Sequence, residues 1–125
     1  MATVLIATED STAFSILSAE IEGEGHRALW ASDGQEAVDM ALERKPSLVL
    51  LDGSLPIFSG FEVVEMLRAD PDIPRGLPVL LLADETIDPH RFEQAGFTER
   101  FPKTHDHHVM REVLSRLTNL ILAPE

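Results

Sequence analysis

At 125 residues, 44% hydrophobic and 26% charged, the chain has the size and composition of one globular domain able to bury a core. It holds no cysteine, which excludes disulfides, thiolate nucleophiles and thiolate metal sites. A formal charge of -12 argues against a nucleic-acid surface, since phosphate backbones recruit Lys and Arg clusters, and it fits a protein that meets cations or basic partner surfaces.

No apolar run approaches transmembrane length, and Met1 leads straight into a strand pattern, so the expectation is a cytoplasmic protein with no membrane contact. The chain reads as a single domain over 1–125, with 121–125 as a tail or the start of a linker.

The first strand pattern covers Thr3–Thr8 and ends in Glu9-Asp10. A helix follows, with Asp10 or Ser11 as N-cap, Phe14, Leu17 and Ile21 on one face, and Gly23 and Gly25 at its close. His26–Ala31 reads as a short second strand. Asp33 with Glu36 forms a capping-box pattern for a second helix that turns Ala37, Val38, Ala41 and Leu42 inward and stops near Lys45, before Pro46.

Leu48-Val49-Leu50-Leu51-Asp52 is apolar without alternation until its last residue, the pattern of a parallel strand buried on both faces. After the loop Gly53–Gly60, a third helix from about Ser59 to Ala69 places Phe61, Val64 and Leu67 on its inner face. Residues 70–76 are loop by composition. Pro78–Ala83 is a second continuous apolar run and also ends in an acid, Asp84. Asp88-Pro89 opens a short helix that Gly96 ends. Phe97–Phe101 predicts a fifth strand, with Lys103 just beyond it. The last helix spans about Asp106 to Ile121, with Met110, Val113, Leu114, Leu117 and Ile121 as core positions.

Five strands alternating with helices predict a doubly wound α/β domain with right-handed crossovers. In parallel strands the following residues collect on one sheet edge, where such folds bind ligands. Glu9, Asp10, Asp52, Asp84 and Lys103 converge there. Crowded carboxylates repel unless a cation neutralises them, and all-oxygen ligation suits magnesium. A carboxylate beside a divalent ion and an ammonium group has the parts for attack on phosphorus, giving an aspartyl-phosphate. The plainer reading of each residue alone is a helix cap or a surface ion pair.

Glu9-Asp10 after the first strand, Asp52 with Leu55-Pro56 and Ser59-Gly60 behind it, and Lys103 after the fifth strand together resemble the receiver domain of two-component response regulators, across essentially the whole chain. The resemblance implies a flavodoxin-like fold: a five-stranded parallel sheet in the order 2-1-3-4-5, flanked by five helices. It further implies Asp52 as phosphoacceptor and Lys103 as the phosphate's partner. Mg2+ would be held by Asp10, Asp52 and the Ser54 backbone carbonyl, with Glu9 acting through water. The family is signalling rather than enzymatic: it takes phosphate from a histidine kinase or phosphotransfer protein, then hydrolyses it slowly. Output would run to a downstream protein through the face formed by the fourth helix, fifth strand and last helix.

Departures from the pattern fall in the switch region. Ala83 stands where a Thr or Ser hydroxyl is usual, Asp84 where a small residue is usual, and Arg100 where an aromatic is usual; Thr104 replaces a proline. Arg100 turning inward to Asp84 or the phosphate is one route by which a response could survive, since arginine forks suit both groups. The alternative reading is a phosphorylation-independent interaction domain, a pseudo-receiver. A flavin or nucleotide binder is disfavoured because the first loop presents Glu9-Asp10, and a stand-alone phosphatase because Asp52-Gly53-Ser54 lacks a second acid. His105, His107 and His108 read as solvated polar residues rather than a transition-metal cluster.

Overall fold

The computed structural model describes residues 2–83, 88–102 and 107–121. The elements run β1 (Thr3–Ala7), α1 (Ser11–Gly23), β2 (Arg27–Ala31), α2 (Gly34–Arg44), β3 (Leu48–Asp52), α3 (Gly60–Ala69), β4 (Val79–Ala83), α4 (Pro89–Ala95), β5 (Glu99–Pro102) and α5 (His107–Ile121). The strands form one parallel sheet in the order β2-β1-β3-β4-β5, the order that the family resemblance implies.

Side chains alternate across a strand, and the three central strands divide their apolar residues accordingly. Leu5, Ala7, Val49, Leu51, Val79 and Leu81 pack on one face with residues of α2, α3 and α4. Val4, Ile6, Leu48, Leu50, Leu80 and Leu82 pack on the other with Leu17 and Ile21 of α1 and Met110 and Leu114 of α5. Covering both faces is what makes β1, β3 and β4 read as unbroken apolar runs. The side chains of Val113, Leu117 and Ile121 lie outside the described residues.

The helices begin where the sequence supplies caps. Asp10, Asp33, Ser59 and Asp88 each accept a backbone N–H from the first turn of α1, α2, α3 and α4. The capping box at α2 is half formed: Asp33 accepts the Glu36 N–H at 2.7 Å, while the Glu36 carboxylate accepts from the Ser32 hydroxyl. Gly96 ends α4 at φ 100, and Lys45 ends α2 in the same left-handed region, at φ 48.

β5 starts two residues later than the sequence suggests. Phe97 stacks on Phe92 and meets Phe61 edge-on, and Thr98 closes the turn by exchanging bonds with Val79. Those contacts hold Phe97 and Thr98 at the entrance to the strand. Arg68 ties the adjacent loops to α3: its Nε donates to the Gly96 carbonyl at 3.0 Å, and burial lowers its pKa from the ordinary arginine value.

Two glycines set how closely helices approach the β3–α3 loop. A Cβ on Gly60 would stand 2.6 Å from the Asp52 carbonyl oxygen, and one on Gly34 only 2.1 Å from the Phe58 carbonyl oxygen. The Gly34 N–H donates to Pro56 O at 3.0 Å, so α2 is bonded directly to the loop that follows Asp52.

Candidate functional site at the tips of strands 1 and 3

Asp52 closes the central strand, and its residue surface is 2% exposed. A carboxylate at such a position needs hydrogen-bond donors. Its Oδ2 accepts from the Thr8 hydroxyl at 3.0 Å, and its Oδ1 accepts from the Ser54 N–H at 3.0 Å. The second bond is local, an Asx-type turn that orients Gly53-Ser54. The first spans 44 residues of sequence and exists because β1 and β3 are neighbours: Ala7 pairs with Leu51, which brings Thr8 beside Asp52.

Thr8 was not expected as a site residue; its sequence position marked only the end of a strand. It is 1% exposed and held from several sides. Its N–H donates to Ala31 O at 3.0 Å, its carbonyl accepts the Trp30 indole N–H at 2.8 Å, and its hydroxyl accepts the Asp10 N–H at 3.1 Å. Trp30 in turn stacks on Phe14 of α1, with ring centroids 4.8 Å apart. The clue available in the sequence was a polar residue between a buried strand and an acid pair.

Asp10 sits immediately before α1 as its N-cap, with Oδ1 accepting from the Thr12 and Ala13 N–H groups, at 3.0 and 3.2 Å. The plainer reading of this residue, a helix cap, is therefore correct, and the negative charge also complements the helix dipole. Glu9 is exposed on the same loop. Among the described residues no three His, Cys, Asp or Glu side chains form a metal-holding cluster. The described candidates for a cation are the carboxylates of Glu9, Asp10 and Asp52 with the Ser54 backbone carbonyl. All are hard oxygen donors, and so few protein ligands fit an ion such as magnesium that keeps several of its waters.

Ala83 ends β4, half-buried, with no hydroxyl to offer. Arg100 is exposed, and its guanidinium carbon lies 5.7 Å from the Phe92 ring centroid. The inward turn toward Asp84 considered for it above involves a residue outside the described ones. Lys103, Asp84, Thr104 and His105 lie outside the described residues, as does the His107 side chain, and His108 is exposed on α5.

The loop between β3 and α3 carries a strained residue. The Phe58 N–H donates back to Pro56 O at 2.8 Å, closing a turn around Ile57, whose φ is 69. β-Branched residues rarely adopt that region, and Ile57 is also 68% exposed.

A sheet of this order with an aspartate at the tip of β3 and an acidic β1–α1 loop can be compared with known proteins. The model of the response regulator receiver domain matches residues 4–115. The chain belongs to that family.

Among similar sequences is protein PilH of Pseudomonas aeruginosa, 30% identical over 125 residues, covering 98% of this chain and 99% of the relative. Among solved structures, the chemotaxis response regulator CheY4 of Vibrio cholerae superposes with a TM-score of 0.84 at 24% identity, covering 94% of this chain and 98% of that one. The receiver domain of the sensor histidine kinase PA1611 of Pseudomonas aeruginosa, with magnesium ion coordinated in its active-site cleft, gives 0.77 at 22% identity, covering 92% and 95%. These two likenesses establish the fold of this receiver domain. Among the described residues no helix is long and apolar enough to cross a membrane.

Proposed function

We propose that this receiver accepts a phosphoryl group on Asp52 from a histidine kinase or phosphotransfer protein. The observation that carries the reading is the Asp52 carboxylate itself. It is held at the tip of the central strand by donors on both oxygens, next to the loop that bears Glu9 and Asp10. A lone pair of the carboxylate attacks phosphorus, and the donor's bond to phosphorus breaks with its electron pair returning to the donor. Positioning and charge neutralisation supply most of the catalysis in such transfers.

A magnesium ion bound by Asp10, Asp52 and the Ser54 carbonyl, with Glu9 acting through water, would neutralise phosphoryl charge. Lys103, the residue after β5, is assigned to pair with the phosphate. Asp10 also keeps α1 capped, so the helix start and the acidic loop stay in register. Output to a downstream protein is assigned to the face of α4, β5 and α5.

Two observations favour a second reading, a phosphorylation-independent interaction domain. Ala83 has no hydroxyl to draw toward a phosphate, and Arg100 stands where the family pattern has an aromatic. Incubation with acetyl phosphate and Mg2+ followed by intact mass measurement separates the two. The phosphoacceptor reading expects a phosphate adduct that is absent in Asp52→Ala. No adduct under any donor condition supports the pseudo-receiver.

A further inference from the structure

We infer that the Thr8 hydroxyl shortens the life of the phosphoryl group on Asp52. The inference rests on the phosphoacceptor reading and concerns a residue that the motif of acids and lysine does not include.

The Thr8 oxygen accepts the Asp10 N–H, so its single proton is directed at Asp52 Oδ2, 3.0 Å away. The backbone of Thr8 is fixed by the bonds from its N–H to Ala31 O and from the Trp30 indole to its carbonyl, which leaves the hydroxyl little freedom to follow a moving partner. Thr8 and Asp52 are 1% and 2% exposed, so the bond lies where water competes least.

A hydroxyl bonded to an ionised carboxylate forms a charge-assisted bond, roughly twice as strong as the bond it forms to a neutral acyl oxygen. Phosphorylation converts the first into the second. When water attacks phosphorus, the P–O bond to Asp52 breaks, its electron pair returns to the carboxylate, and the water's protons pass to phosphate and solvent. Thr8 stabilises the leaving carboxylate as its charge develops. It also stabilises the free carboxylate before attack, which makes phosphorylation less favourable. Both effects lower the ratio of phosphorylation rate to dephosphorylation rate. With net values for neutral and charged bonds, the combined effect is on the order of fivefold.

The test compares wild type, Thr8→Val (same shape, no hydroxyl) and Thr8→Ser (hydroxyl kept). Uptake from acetyl phosphate with Mg2+, and decay after donor removal, are followed by intact mass. Thr8→Val should raise the uptake-to-decay ratio about fivefold, with slower decay, and Thr8→Ser should return it to within about twofold of wild type. The Asp52 13C carboxyl resonance in magnesium-free buffer should shift in Thr8→Val and return in Thr8→Ser, an effect that mere loss of packing would not reverse. Thr8→Ala serves the same comparison if Thr8→Val does not fold. A phosphorylated wild type whose ratio is unchanged or lowered in the hydroxyl-free variant overturns this inference alone. A wild type that takes no phosphate from any donor overturns the phosphoacceptor reading and this inference with it.

Discussion

Replacing Gly34 by alanine measures how tightly the loop after Asp52 is built onto α2. The added Cβ would stand 2.1 Å from Phe58 O, 2.6 Å from Phe58 Cβ and 2.8 Å from Phe58 C. The nearest atom is backbone, so no rotamer change relieves the clash; either α2 or the loop must retreat by about 1 Å to regain ordinary contact. The bond from Gly34 N to Pro56 O, now 3.0 Å, would then exceed hydrogen-bonding distance. Overpacking costs about 1–3 kcal/mol and the lost bond about 0.5–1.5 kcal/mol. Alanine returns up to about 1 kcal/mol through helix propensity. The expected net loss is about 2–3 kcal/mol, a large part of a typical domain's stability. Equilibrium urea unfolding reads this as a midpoint lowered by about 1–2 M. Gly23→Ala is the control, because a Cβ there meets nothing within 4 Å at the end of α1. It should leave stability unchanged or raise it by up to about 1 kcal/mol. If Gly34→Ala unfolds within about 0.5 kcal/mol of wild type, the close packing of α2 on this loop is not what holds it.

Two further substitutions probe the site from either side. Ile57→Asn should stabilise by about 0.5–1 kcal/mol in urea unfolding, because asparagine tolerates the left-handed region and the exposed isoleucine gives up little burial; an unchanged or lower midpoint would show that the Ile57 side chain itself is being used by the fold. Asp10→Asn should keep α1 capped, with stability within about 0.5 kcal/mol of wild type, whereas Asp10→Ala should lose about 1 kcal/mol. Both should weaken Mg2+ binding, read by titration of the fluorescence of Trp30, the chain's one tryptophan; magnesium affinity unchanged in Asp10→Asn would remove Asp10 from the ligand set.

The sequence by itself determined the fold and the strand end that carries Asp52. Unbroken apolar runs at 48–51 and 79–82 could be buried only as parallel strands covered on both faces, and the spacing of Leu17, Ile21, Met110 and Leu114 supplied part of one cover. Asp10, Asp33 and Asp88 announced their helices because capping is local: the side chain and the N–H it serves lie within three residues. Asp52 could be placed at a strand tip for the same reason.

The identity of the groups that touch Asp52 was decided by tertiary structure. Thr8 reaches it across 44 residues only because of the register of β1 on β3, and a polar residue at the end of a strand carries no sign of which neighbour it will meet. Likewise the Arg100 guanidinium carbon lies 5.7 Å from the Phe92 ring centroid, on a helix the strand pattern says nothing about. Ile57 enters the left-handed region because Pro56 O serves both Phe58 and α2. Periodicity and caps encode interactions within one element; contacts between elements depend on alignments that no single stretch of chain contains.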